Sequence, residues 1–104
     1  MMALRSTIQP HGQLTDEILI TRTAQGDAAA LGILYDRYAA TVLGITLKIT
    51  QDRSLAENLL QETFWQVWQR ASTYRLESGS FTGWLFKIAR LLAMEANSRG
   101  AFSK

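Results

Sequence analysis

Few side chains in this sequence have the chemistry of a catalytic centre. His11 is the only imidazole, and it stands between Pro10 and Gly12 in a polar leader formed by residues 1–13. A histidine metal site or a Ser-His-Asp triad would have to rest on it, and such chemistry needs a rigid support rather than a flexible tail. Cysteine is absent. That removes thiolate nucleophiles, cysteine-based zinc or iron–sulfur centres and disulfides, and it fits a reducing, cytoplasmic setting. The run Gly79-Ser80-Phe81-Thr82-Gly83 lacks the lysine and spacing of a phosphate-cradling loop, and no HExxH pair occurs. Asp16, Glu17, Asp27 and Glu57 fall in expected helix caps and first turns, where the positive end of the helix dipole accounts for their carboxylates. Neither an enzyme nor a cofactor site is expected.

The chemistry that remains is recognition. Tyr74, Arg75, Phe81, Phe86, Lys87, Arg90 and Asn97 interleave aromatic rings, cations and an amide. Such a mixture suits phosphate contact and base stacking. Charge distribution points the same way. Residues 14–72 carry seven acids and five bases, whereas residues 73–104 carry two acids and five bases. An acidic first part followed by a basic last third suggests two surfaces with different partners. A solvated charged face would give the same counts.

The elements that must position these groups are helical. The chain has 104 residues, 47% of them hydrophobic, enough for one core and too few for two domains. Strand signals are nearly absent, and no apolar run approaches the ~18 residues that a membrane span requires. Thr15 caps a first helix that runs to about Gln25 and stops at Gly26. Asp27 caps a second, whose Leu31, Leu34, Tyr35, Tyr38, Val42, Ile45 and Ile49 recur at spacings of three and four along one stripe. Ser54 and Glu57 have the spacing of a capping box and open a third helix to about Ala71. Residues 72–79 read as a loop, and Ser80 caps a fourth helix that frays near residues 98–100. The expected architecture is all-α, a compact bundle of four helices over residues 14–100, with a flexible leader at 1–13 and a short tail at 101–104.

Helical phase then divides each of the last two helices into an inner and an outer face. On the third, Ala56, Leu60, Thr63, Phe64, Val67 and Ala71 share the inner sector, at 100° per residue. The outer sector holds Asn58, Gln61, Glu62, Trp65 and Gln69, with Glu57 on its border. A tryptophan among polar groups is the composition of a protein interface, although a lone exposed ring, or one folded against a loop, gives the same pattern. On the fourth, Phe81, Trp84, Leu85, Ile88, Leu91 and Leu92 turn inward, and Lys87, Arg90 and Asn97 outward, with Phe86 and Met94 beside them.

Three segments, QGDAAALGILYDRYAATVL, LAENLLQETFWQVWQRASTYR and GSFTGWLFKIARLLA, resemble in order and spacing region 2 of bacterial RNA polymerase sigma factors of the extracytoplasmic-function (ECF) group. The likeness spans about residues 15–97. It implies a transcription initiation factor domain of the sigma-70 superfamily. In that family the outer face of the third helix docks on the clamp-helix coiled coil of the polymerase's largest subunit. The matching positions are Glu57, Asn58, Gln61, Glu62 and, by proximity, Trp65, whose partners would be basic side chains. The loop and the fourth helix would meet the melted non-template strand of the minus-ten promoter element. A flipped base would lie near Tyr74 and Arg75, with Ser80 and Phe81 beside it, while Lys87 and Arg90 contact the backbone and Asn97 lies further along the helix. The likeness sets Trp84 at the edge of the melted region, whereas helical phase turns it inward.

Asn58 stands where the family usually has an acid, and Leu91 where it usually has asparagine. The family's arginine-rich tail is reduced to Asn97, Ser98 and Arg99. The linker and second helical domain that read the upstream element are not present before Lys104, so the chain looks like an excised domain or a fragment. An anti-sigma regulator is a further implied partner. The alternative reading is a protein-interaction module that binds such a regulator without a DNA function.

Overall fold

Helix punctuation in this chain is local and chemical. In the computed structural model, which describes residues 14–75 and 79–102, Thr15 Oγ1 accepts the Ile18 amide at 3.1 Å and starts α1, Asp16–Ala24. Gly26 takes φ +92°, a left-handed conformation that costs glycine little, and lets the chain reverse. Asp27 Oδ1 then accepts the amides of Ala29 and Ala30 and starts α2, Ala28–Thr50. Gln51 closes α2 in the left-handed region, its amide donating to Leu47 O at 2.8 Å. Helix α3, Arg53–Arg70, ends in a 3-10 turn at Ala71–Thr73. Ser80 Oγ accepts the Gly83 amide at 3.0 Å and starts α4, Phe81–Phe102.

Two sequence expectations about helix ends are corrected. The cap of α3 is Asp52, whose carboxylate accepts the Leu55 amide at 3.1 Å. Ser54 lies inside the helix, and Glu57 is held by Arg53 at 2.7 Å instead of closing a capping box. At the other end of the chain, α4 does not fray at residues 98–100 but continues to Phe102. The weak helix propensity of serine and glycine is overridden there.

Helix α2 packs against each of the other three helices. Its stripe supplies Leu34 and Val42 to the core, fully buried, with Leu31, Tyr35, Tyr38 and Ile45 packed around them. From α1 come Leu19 and Ile20, from α3 Leu60, Phe64 and Val67, and from α4 Phe81, Leu85 and Ile88. Thr46 is also fully enclosed, and its hydroxyl lies within hydrogen-bond reach of Leu43 O and of Ala56 O on α3. A buried hydroxyl with a partner avoids a desolvation cost of about 1–3 kcal/mol. The inner sector expected for α3 is buried in full, joined by Leu59.

On α4 the phase differs from the sequence reading. Leu91, expected inside, is 54% exposed, and Trp84 and Leu92 are half-buried. The inner face is completed by Ala89, Ala93 and Ala96. Small side chains let α4 approach its neighbours closely, and the large Leu91 has no room in that seam. Among the described residues no helix is long and apolar enough to cross a membrane.

Helix α1 is fastened to α2 by a half-buried polar cluster. Arg37 Nη1 pairs with Asp16 Oδ1 at 2.9 Å, Arg37 Nη2 donates to Leu14 O, and the Tyr38 hydroxyl donates to Asp16 Oδ2 at 2.5 Å. Burial, and then the hydrogen bond to Asp16 and its charge, push the Tyr38 phenol up to about 12. A phenol ionises near 10 in an unfolded chain, so the folded state holds its proton more tightly. The resulting stabilisation is complete below pH ~10 and is lost as the pH rises towards the folded value.

Two outcomes follow for stability. Leu85→Ala should lower unfolding free energy by about 2–5 kcal/mol in urea titrations, whereas Leu91→Ala should change it by less than about 0.5 kcal/mol; a large loss at Leu91 contradicts the phase of α4. Between pH 10 and 12 the parent should lose more stability than Tyr38→Phe, and parallel curves would contradict the Asp16–Tyr38 coupling.

Candidate functional site

The outer face of α3 and the outer face of α4 point away from the shared core and carry different chemistry. On α3, Glu57, Asn58, Gln61, Glu62 and Trp65 are all exposed, as the wheel requires. Their freedom is unequal. Glu57 is engaged by Arg53, the Gln61 amide donates to the Tyr35 hydroxyl at 3.1 Å, and Glu62 accepts from Gln66 at 3.4 Å. Glu62 thus keeps its charge on the surface without a cation beside it among the described ion pairs.

Trp65 is 53% exposed, but it is not a lone ring. With Trp68 it forms one wall of an apolar groove of about 580 Å³, whose other wall is Ala28, Leu31 and Gly32 of α2 and whose floor is Tyr35 and Phe64. The groove exists because Ala28 and Gly32, four residues apart, leave the flank of α2 low beside two tryptophans three residues apart on α3. Sequence reasoning did not identify it. The spacing of small residues on α2 was the available signal, but only the docking of α2 on α3 brings it beside the tryptophans.

The second region lies where the loop after α3 meets α4. Tyr74, Phe81 and Trp84 form a triangle of tilted and edge-on rings, with centroids 6.1 Å (Tyr74–Phe81), 5.4 Å (Tyr74–Trp84) and 5.9 Å (Phe81–Trp84) apart. Tyr38 extends the cluster to Phe81 and Phe86. Tyr74 also donates its hydroxyl to Gly79 O at 3.2 Å across the loop. Burial, followed by the nearby carboxylate of Glu17, raises the Tyr74 phenol above its ordinary range, so it remains a donor. Residues 76–78 of the expected loop lie outside the described residues, as does His11.

The expected nucleic-acid residues are distributed unevenly around this cluster. Phe81, expected to offer its ring to a base, is only 1% exposed and cannot stack on one; it is the platform beneath Tyr74 and Trp84. Trp84, expected inside by helical phase, is only half-buried: it packs against Tyr74 and Phe81, and the remainder faces the surface. Arg75 is exposed near Ser72 O, and Ser80 is exposed with its hydroxyl engaged as the α4 cap. Lys87 and Arg90 project from α4 into solvent. Asn97 is apart from the rest. It lies sixteen positions beyond Phe81, ~24 Å along a helix axis, and its amide nitrogen donates to Ile49 O at 2.8 Å, closing the end of α2. Among the described residues no group of three or more His, Cys, Asp or Glu side chains gathers to hold a metal.

Comparison with known proteins identifies the family. The family model for Sigma-70 region 2 matches residues 34–100, which includes most of α2, all of α3 and the loop, and α4 almost to its end. The ECF RNA polymerase sigma factor SigK of Mycobacterium sp. (strain KMS) is 30% identical over 96 residues, covering 91% of this chain and 50% of that protein. Its counterpart in Mycolicibacterium vanbaalenii is 32% identical over 79 residues, 76% of this chain and 40% of the relative. That of Mycobacterium tuberculosis (strain ATCC 25177 / H37Ra) is 30% identical over 79 residues, 76% and 42% of the two chains. No solved structure gives a significant match. The chain spans about half the length, or less, of the curated relatives it matches. The family match covers more than half of the chain and the relatives carry the same designation, so the chain belongs to that family: it is a sigma-70 region 2 domain of the ECF type.

Proposed function

We propose that this domain acts in transcription initiation by docking on core RNA polymerase through the outer face of α3 and by meeting the melted minus-ten promoter strand through the α3–α4 loop and α4. The observation that carries the reading is the separation of two unlike surfaces on one rigid core. One is acidic and amide-rich around Glu62 and the tryptophan-walled groove; the other combines Tyr74 and Trp84 with Arg75, Lys87 and Arg90. A carboxylate facing guanidinium or ammonium groups forms charge-assisted bonds, so the clamp-helix coiled coil of the largest subunit suits the first surface. The groove beside it would take an apolar side chain from the same partner, with Trp65 as the central contact. Stacking rings flanked by cations suit single-stranded DNA on the second. The role is non-enzymatic and belongs to the cytoplasm, where the polymerase works.

An anti-sigma regulator would compete for the same groove, and the apolar character of that groove favours a protein partner of some kind. Salt separates a pure protein-interaction module from the two-surface reading. Release of counterions makes DNA contact weaken steeply with salt, about 0.7 logarithmic units per phosphate for single strands, whereas a groove contact centred on Trp65 is much less sensitive.

Titration against the isolated clamp-helix coiled coil should give binding that Glu62→Arg abolishes and that Trp65→Ala weakens by about 2 kcal/mol or more. Asn58→Asp should tighten it by up to about 1 kcal/mol, because a dipole becomes a charge opposite basic partners. A folded parent that does not bind the coiled coil, or binding indifferent to Glu62→Arg, overturns the assignment of this face.

A further inference from the structure

Helix α2 is hydrophobic almost all round. Of its 23 residues only Asp36, Arg37 and Lys48 are charged, and Arg37 is turned to α1 by its pair with Asp16. A helix of that composition is ordinarily enclosed on every side. Here α1, α3 and α4 cover three sides, and the fourth is left open. Ala29, Ile33, Asp36, Ala40, Gly44 and Leu47 share that side, within a sector of about 80°. Ile33 and Leu47 are half-buried and the other four are exposed. Nothing lies within 4 Å of the point that a Cβ on Gly44 would occupy, so no neighbour in the bundle requires a glycine there. Asp36 is the only charge on this side, and it has no ion pair among the described residues. Neither of the two surfaces assigned above includes these six residues.

The chain itself supplies a segment that matches this side. Residues 1–13 lead to Leu14, whose carbonyl accepts from Arg37 Nη2. Arg37 stands one turn from both Ile33 and Ala40 along α2, so the leader joins the bundle at the edge of the open side. Residues 1–13 reach ~43 Å when extended, whereas the side from Ala29 to Leu47 is ~27 Å long. Met1, Leu4 and Ile8 recur at spacings of three and four, which would set them on one side of a helical turn, and Pro10 would end that turn. With His11 neutral, Arg5 is the one charged side chain of the leader, opposite in sign to Asp36. We propose that residues 1–9 dock on the open side of α2, with Met1, Leu4 and Ile8 laid along Ile33, Ala40 and Gly44 and with Arg5 paired to Asp36. The leader is then the fourth neighbour that the composition of α2 requires. Gly44 lets the leader approach the α2 backbone closely, and the short tether keeps its effective concentration high enough for a small apolar contact to hold.

The test is paramagnetic broadening of amide signals in the full chain. Cysteine is absent, so Ser6→Cys provides a single attachment point for a nitroxide, on the side of the leader away from Met1, Leu4 and Ile8. The amide signals of Ile33, Asp36 and Ala40 should broaden strongly, and those of Lys87 and Arg90 on α4 should not. Leu4→Asp in the spin-labelled chain should remove the broadening. Arg5→Glu should weaken it, and Arg5→Glu combined with Asp36→Arg should restore it. These substitutions lie outside the buried core, and unchanged amide positions along α3 and α4 verify that each variant is folded. Broadening spread evenly over the surface, or undiminished in Leu4→Asp, overturns the proposal. So does broadening that arises between molecules, when spin-labelled chain is mixed with isotope-labelled chain that carries no nitroxide; that result assigns the open side of α2 to a second copy.

Discussion

The placement of α4 depends on Phe81. Its ring is enclosed at the first position of the helix, against Tyr38 of α2 on one side and Tyr74 and Trp84 on the other. A buried aromatic side chain contributes several kcal/mol of apolar burial and has few orientations that fit a close-packed site. It therefore determines both where α4 begins and how the helix is rotated. That rotation puts Ala89, Ala93 and Ala96 in the seam and leaves Lys87, Arg90 and Leu91 outside. The same ring packs against Tyr74, so the position of that side chain and the helix phase are tied to one contact. A phenylalanine expected to touch nucleic acid serves instead to position the residues proposed to do so.

Local chemistry was legible in the sequence wherever one side chain decides the outcome. Thr15, Asp27 and Ser80 cap their helices because an oxygen two or three positions ahead of a free amide needs no distant partner. The α2 stripe and the α3 inner face were legible because large apolar residues repeat with helical period. The start of α3 was not, because Asp52 and Ser54 both offer a capping oxygen. The left-handed Gln51, which turns the chain out of α2, gives the place to Asp52. The phase of α4 was misjudged for a different reason. Leu91 and Trp84 dominate a hydropathy wheel, but the seam selects for small volume, and alanine carries little hydrophobic signal.

The exposure of candidate site residues was legible helix by helix, and their grouping in space much less so. The outer positions of α3 followed from a single helix, and all five are exposed. The groove beside Trp65 requires two helices in a particular register, which no one-helix pattern contains. Asn97 illustrates the converse: on a wheel it shares a face with Lys87 and Arg90, yet its amide nitrogen is used to close α2, 48 positions earlier.

A domain that uses α3 for one partner and α4 for another gains from a shared core, because each surface is held rigid by the packing that also holds the other. Simultaneous occupancy is the most direct consequence. With the clamp-helix coiled coil at saturating concentration, titration of single-stranded minus-ten DNA should give a ternary complex whose DNA affinity equals or exceeds that of the free domain. Displacement of the coiled coil by DNA, or of DNA by the coiled coil, would contradict the assignment of two separate faces.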